Sequence, residues 1–252
     1  MIVETITIPQ TLHLKPVPLT RAAFSPYGDV LTNPSPKSLP HNTPADTIAA
    51  GQLPCGAVSA NQGSAIQYRQ LGVVRDLYPQ AVSGQAATPR VTMFVSGARD
   101  EVLRTGAFQV KILERHPFTT QTFAPLSGDG ESTRYLVIVA PTLPSSSGSD
   151  EKLPAPAEAT DGKGALPGRG FPDLTRVQAF IATGRQAVTY GAGTWHAPMV
   201  ALGEAGTAID FVVTQFANDV PVEDCQEVVL EGGSAKNSIT VRLGSEARLS
   251  KL

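Results

Sequence analysis

The sequence predicts a mainly β chain: many short antiparallel strands closed into a barrel or sandwich, with a few short helices. Three observations predict it. The 252 residues include 21 prolines and 23 glycines, a turn-rich composition that interrupts long helices. Apolar residues alternate or cluster over short runs bounded by turn residues. No internal repeat and no helical pattern beyond two or three turns is visible. A hydrophobic fraction of 41% is enough for a real core. The chain reads as one domain, 1–252, with irregular insertions at about 33–63 and 141–172.

Residues 2–8 alternate as a strand. Residues 12–18 are extended, but Pro16 and Pro18 confine them to an edge. Thr20 is placed to cap one helical turn ending at Phe24. Pro26-Tyr27-Gly28-Asp29 is a turn, and Val30-Leu31 resumes extension. Residues 33–63 are rich in Pro, Ala, Ser, Asn and Gly and read as an irregular connection; Ile66-Gln67-Tyr68 is a short strand. Residues 91–95 form a strand, and 108–116 another. Residues 134–140 are almost continuously apolar, as suits a buried central strand. Residues 141–170 read as a flexible surface insertion. Strands follow at 177–181, 187–190 and 209–216, with a turn at 191–194. Residues 228–230 and 238–241 look like a last hairpin.

Net charge is −2, so nothing favours nucleic acid or an anionic membrane as partner. No apolar run approaches the roughly 20 residues of a membrane helix. The N-terminus lacks a basic region followed by an apolar one, so no secretory signal is expected. Cys55 and Cys225 are the two cysteines, far apart and without a C-x-x-C. They suggest a reducing compartment and neither a disulfide framework nor a thiolate metal site. The ending Ser250-Lys251-Leu252 reads as a peroxisomal address, with the import receptor as partner.

The segment 108–121 carries the first chemistry. With a period of two, Phe108, Val110, Ile112, Glu114 and His116 share one face, and Lys111 and Arg115 the other. A carboxylate and an imidazole facing inward are costly to bury unless they pair or react. Small β-barrels of the cupin kind carry two histidine motifs. Glu114-x-His116-x4-Gln121-x6-Gly128 has the spacing of the first, with two ligand types changed. Gly184 to Gly193-Thr194-Trp195-His196 fits the second, with one extra residue in the turn. His116, His196 and Glu114 are metal ligands if a metal is present, or equally a metal-free acid/base set. The bland alternative is a satisfied buried Glu/His pair beside a packed turn histidine.

Residues 113–126, Leu-Glu-Arg-His-Pro-Phe-Thr-Thr-Gln-Thr-Phe-Ala-Pro-Leu, resemble the most recognisable segment of the ureidoglycolate lyase family. Residues 180–198, through Gly184, Tyr190 and Trp195-His196, resemble its second. Phe24, Tyr27 to Val30, Asn61-x-Gly63, Tyr68, Ile209 to Val213 and Asp224-Cys225 match in order. The resemblance implies a cupin-like fold and a homodimer. It implies cleavage of ureidoglycolate to glyoxylate and urea, late in allantoin degradation. No cofactor is strictly implied, though a divalent metal, nickel or zinc, is compatible. The family commonly carries Trp-His-His-Pro where this chain has Trp195-His196-Ala197-Pro198, so any role of a second histidine is missing. Gln67 stands where a basic residue is common.

The implied substrate is a carbon bearing hydroxyl, carboxylate and ureido nitrogen. Its cleavage needs a base, an acid and a cationic site. His116 or Glu114 is the candidate base and His196 the candidate acid. Lys111 or Arg115 is the candidate for the carboxylate, although both lie on the strand face opposite Glu114 and His116. Asn61, Gln121 and Tyr190 are candidates for the urea group. The rival readings are a metal-dependent cupin oxygenase or isomerase on another small carboxylic acid, a non-catalytic ligand-binding barrel, and an amidohydrolase releasing ammonia.

Overall fold

The apolar run at 134–140 becomes the strand Arg134–Ala140, with every residue after Arg134 buried. In this computed structural model, which describes residues 1–126, 130, 132–146, 148–157 and 164–244, it is central to an eight-stranded sheet. Gly128 and Ser250-Lys251-Leu252 lie outside the described residues. Arg134–Ala140 pairs antiparallel with Gln178–Thr183 on one side. On the other it meets Trp195–His196 and Val200–Leu202. Trp195–His196 pairs onward with Ile112–Arg115, then come Gln226–Glu231 and Ile2–Thr7.

Both faces of this sheet are covered at its centre, which is why Arg134–Ala140 is apolar after its first residue. Tyr135, Val137, Val139 and Phe180 pack with Phe123, Val188, Tyr190 and Phe211 of a five-stranded sheet. That sheet runs in the order Gly28–Leu31, Ala187–Tyr190, Gln121–Pro125, Ala208–Ala217, Thr88–Gly97. On the opposite face Leu113, Leu136, Ile138 and Val228 pack with Val110, Ile239 and Val241 of a three-stranded sheet. Each such side chain contributes about 1.5–3 kcal/mol on full burial.

The mainly β class with a few short helices is what the structure shows; described helices are four to six residues long. Thr20 caps Arg21–Phe24, its hydroxyl accepting from the Ala23 N–H. Several elements differ from expectation. Ile2–Thr7, Leu12–Leu14 and Val17–Pro18 join their sheets in parallel, because the N-terminal segment lies alongside strands met much later in the chain. The strand expected at 108–116 breaks at Lys111, where the chain passes between sheets: Val110 pairs with Ile239 and Ile112 with Val229. For the same reason Gln226–Glu231 and Ile239–Arg242 are no hairpin; they belong to different sheets. The stretch 33–63 holds the helix Ala45–Ala49 and, with Ala57–Ala60, half of a hairpin completed by Ala65–Tyr68.

The described part of 141–172 is no loose surface insertion. Leu153, Ala155 and Asp150 are buried. The Arg115 guanidinium, fully buried, donates to the carbonyls of Gly168, Arg169 and Gly170 and to Gln226 Oε1. It also stacks on Trp195, 4.5 Å from the ring centroid, while the indole N–H donates to the Gly170 carbonyl. Gly170 must be glycine, since a Cβ there would lie 1.8 Å from the Leu143 carbonyl oxygen. Burial lowers the Arg115 pKa to about 10, so it stays charged at neutral pH. Arg115→Ala leaves these buried carbonyls without a donor and should lower unfolding stability by about 3–5 kcal/mol in equilibrium denaturation. Arg115→Lys, which lacks the planar fork, should also be destabilising. Unchanged stability in both variants would refute the structural role.

Candidate active site

Glu114 is the cross-strand partner of His196, and His196 that of Val139. Opposite residues share a face, so Glu114 and His196 point with Val139 toward the five-stranded sheet. On that sheet Gln121 and Tyr190 are cross-strand partners. The Tyr190 ring stacks on the His196 imidazole, with centroids 3.8 Å apart and planes at 11°. His116 follows the strand end, its ring centroid 5.6 Å from that of His196. All but Glu114 are buried, and Glu114 keeps one-fifth of its side chain exposed.

Two backbone carbonyls set the imidazole protons. His116 Nδ1 lies 2.6 Å from the Asp224 oxygen, and His196 Nδ1 lies 2.9 Å from the Thr194 oxygen. A carbonyl only accepts, so each Nδ1 carries a proton and each Nε2 is the reactive nitrogen. The Asp224 turn is itself pinned. Its carboxylate accepts from Tyr78 Oη and from the N–H groups of Asn218 and Asp219. Burial and the neighbouring His196 push the His116 pKa below its ordinary value, so His116 Nε2 is a lone pair. Burial alone would raise Glu114, but the two imidazoles draw its pKa below the usual carboxylate range. Its Oε1 is 3.5 Å from His196 Nε2, an ion-pair distance too long for a good hydrogen bond. Burial, with the Glu114 charge beside it, pushes the Cys225 thiol up to about 12. Cys225 is therefore an S–H, 3.8 Å from Glu114 Oε2.

His116 Nε2, His196 Nε2 and Gln121 Oε1 are buried without a hydrogen-bond partner. Unpaired buried polar atoms are costly, and two such imidazole nitrogens beside one carboxylate call for an electrophile or a donor-rich ligand. Donor atoms of Glu114, His116 and His196 lie within 4.8 Å of one another. Two imidazoles oriented through Nδ1 and one carboxylate fit a divalent cation.

The other expected residues separate. Arg115 is on the opposite strand face, with its guanidinium taken up by carbonyls, so it is not placed to bind substrate. Lys111 is exposed at the strand break. With Arg99, Asp100, Glu101, Ile112, Ala197 and Pro198 it lines a cleft of about 360 Å³, whose lining does not include Glu114, His116 or His196. Ile112 shares the strand face of Glu114, and Ala197-Pro198 follow His196 directly. Asn61 is exposed, with a left-handed φ of 49°, in a hairpin whose two strands pair only with each other. The described contacts do not bring it to the histidines. Gln215, the carbonyls of Asp224 and Thr194, and the Cys225 thiol were not foreseen as parts of the site. For Gln215 a signal existed, because it continues the inward face of Ile209, Phe211 and Val213 with a polar side chain. Added nickel or zinc should raise the thermal midpoint by preferential binding to the native state. His116→Ala and His196→Ala should each abolish that rise; a rise that persists in both would place the cation elsewhere.

Comparisons with known proteins come from the whole chain. The family model described as ureidoglycolate lyase matches residues 11–236. A ureidoglycolate lyase of Schizosaccharomyces pombe is 32% identical over 213 residues, covering 82% of this chain and 86% of the relative. One of Saccharomyces cerevisiae is 31% identical over 221 residues, covering 83% and 90%. One of Burkholderia mallei is 30% identical over 210 residues, covering 83% and 85%. The match takes in both histidine segments and nearly every strand around them, and the chain belongs to the ureidoglycolate lyase family.

Proposed function

We propose that this chain is a carbon–nitrogen lyase that cleaves ureidoglycolate to glyoxylate and urea in allantoin and purine catabolism. The family match over residues 11–236 carries the reading. The buried Glu114, His116 and His196 set supplies suitable chemistry. In the reaction the hydroxyl proton leaves, a C=O bond forms, the C–N bond breaks and the departing nitrogen takes a proton. No water is consumed. His116 Nε2, an unprotonated acceptor, takes the hydroxyl proton. A proton on His196 Nε2 faces the Glu114 carboxylate and is delivered to the leaving nitrogen. The proton gained by His116 then replaces it, which restores the starting state. In the alternative to this acid/base set, Glu114, His116 and His196 would instead hold a divalent ion, which would supply Lewis acidity toward the substrate oxygens in place of the two imidazoles' proton transfers. Lys111, exposed at the strand break three residues before Glu114, is the candidate cation for the substrate carboxylate in place of Arg115.

A cupin-like barrel accords with the two facing sheets and the inward histidines. Peroxisomal location through an import receptor rests on Ser250-Lys251-Leu252; imaging of the intact chain against one lacking the tripeptide checks it. A homodimer is supported by the edge strand Thr88–Gly97. Among the described residues it pairs as a strand on one side only, and Val91, Met93 and Val95 are 75%, 56% and 68% exposed on its outward face. An unprotected apolar edge of this length invites pairing with a second copy. Met93→Lys should shift the chain to a monomer in sedimentation, and a dimer undiminished by that charge would exclude this edge as the interface.

Product analysis is the decisive measurement. Equimolar urea and glyoxylate from ureidoglycolate support the lyase, whereas ammonia or no turnover refutes it. His116→Ala should lower kcat by about 10²–10⁴ with little change in KM; unaltered turnover removes His116 from the mechanism.

A further inference from the structure

The inward face of Ala208–Ala217 is apolar through Ile209, Phe211 and Val213, all buried, and then presents Gln215. The register Phe123–Val213 and Thr122–Thr214 puts Gln215 opposite Gln121 as the next pair. Their side chains meet: Gln121 Nε2 donates to Gln215 Oε1 at 2.6 Å. Gln121 is only 4% exposed, and its Oε1 has no hydrogen-bond partner among the described residues. On its other side stands Tyr190, stacked on His196. An amide whose nitrogen is engaged can present only its oxygen to a ligand. We propose that Gln215 is a positioning residue that fixes the Gln121 carboxamide so that its oxygen accepts an N–H of the ureido group.

The chemistry around it agrees. His116 Nε2, the Glu114 carboxylate and Gln121 Oε1 are all acceptors, and a ureido group carries three N–H donors on two nitrogens. The carboxylate offers no donor and the substrate hydroxyl is taken by His116 Nε2, so this acceptor is left to the N–H groups of the ureido end. An amide free to turn would present its NH2 half of the time and lose that discrimination.

The inference rests on the lyase reading above, and its test separates the two. Gln215→Leu removes the acceptor that holds Gln121; Gln215→Glu keeps one. Gln215→Leu should raise KM for ureidoglycolate about tenfold, the scale of one oriented hydrogen bond, and leave inhibition by the product glyoxylate unchanged. Gln215→Glu should restore KM to near the wild-type value. Should the leucine variant fold poorly, Gln215→Met is read the same way. A KM unmoved in the apolar variants overturns the proposal. So does a parallel weakening of glyoxylate inhibition, which would mean that Gln121 serves the glyoxylate end or a bound cation. Wild-type protein releasing no urea would sink the lyase reading itself, whatever the variants did.

Discussion

The contact on which the rest depends is the buried guanidinium of Arg115. The strand Ile112–Arg115 lies inside a sheet covered on both faces, so every one of its side chains must be accommodated. A buried cation is tolerable only with its hydrogen bonds made. Arg115 makes them to three successive carbonyls, Gly168 to Gly170, and so draws the end of the 141–172 stretch into the core. The same contact stacks it on Trp195, whose indole shares the Gly170 carbonyl. Trp195 precedes His196. A residue on the structural face thereby fixes the backbone that aims an imidazole from the opposite face.

Much of this was legible in the sequence because it is periodic. The run at 134–140 predicted a central strand, and Thr20 its helical turn. The i, i+2 spacing of Glu114 and His116 placed an acid and an imidazole side by side. What was not legible is what depends on partners distant in the chain. A period of two over the nine residues 108–116 reads through Lys111 without a break, because alternation is blind to a change of sheet. Arg115 looked like an exposed charge or a substrate ligand, since nothing local shows that carbonyls more than fifty residues away will surround it. Turn-rich composition made 141–172 look loose, yet an irregular segment packs well when its carbonyls are claimed by a buried donor.

The site follows from a second constraint: among the described residues no donor meets His116 Nε2 or Gln121 Oε1. Asp224 and Thr194 use their carbonyls to hold both Nδ1 protons, so the two Nε2 atoms face inward. Asp224 can do so because three donors grip its carboxylate. Such an arrangement leaves acceptors without donors, a cost that a cation or an N–H-rich substrate would relieve. Stability and function therefore oppose each other locally, as expected where rule-breaking residues cluster.

The two faces of one strand divide the labour, and this has a consequence for how substitutions act. Changes at Leu113 or Arg115 enter a packed core and a satisfied hydrogen-bond network, so their first effect is on folding free energy. Changes at Glu114 or at His116 remove groups whose hydrogen-bonding capacity is unfulfilled in the free protein. Each also makes a native contact, His116 Nδ1 with the Asp224 carbonyl and Glu114 with His196, so truncation there trades a lost contact against a relieved unpaired atom. Alternation along the chain thus separates a packing face, Leu113 and Arg115, from the face that carries the candidate site, Glu114 and His116. The parity that made Arg115 an awkward substrate ligand is the same parity that leaves Glu114 and His116 free to act as one.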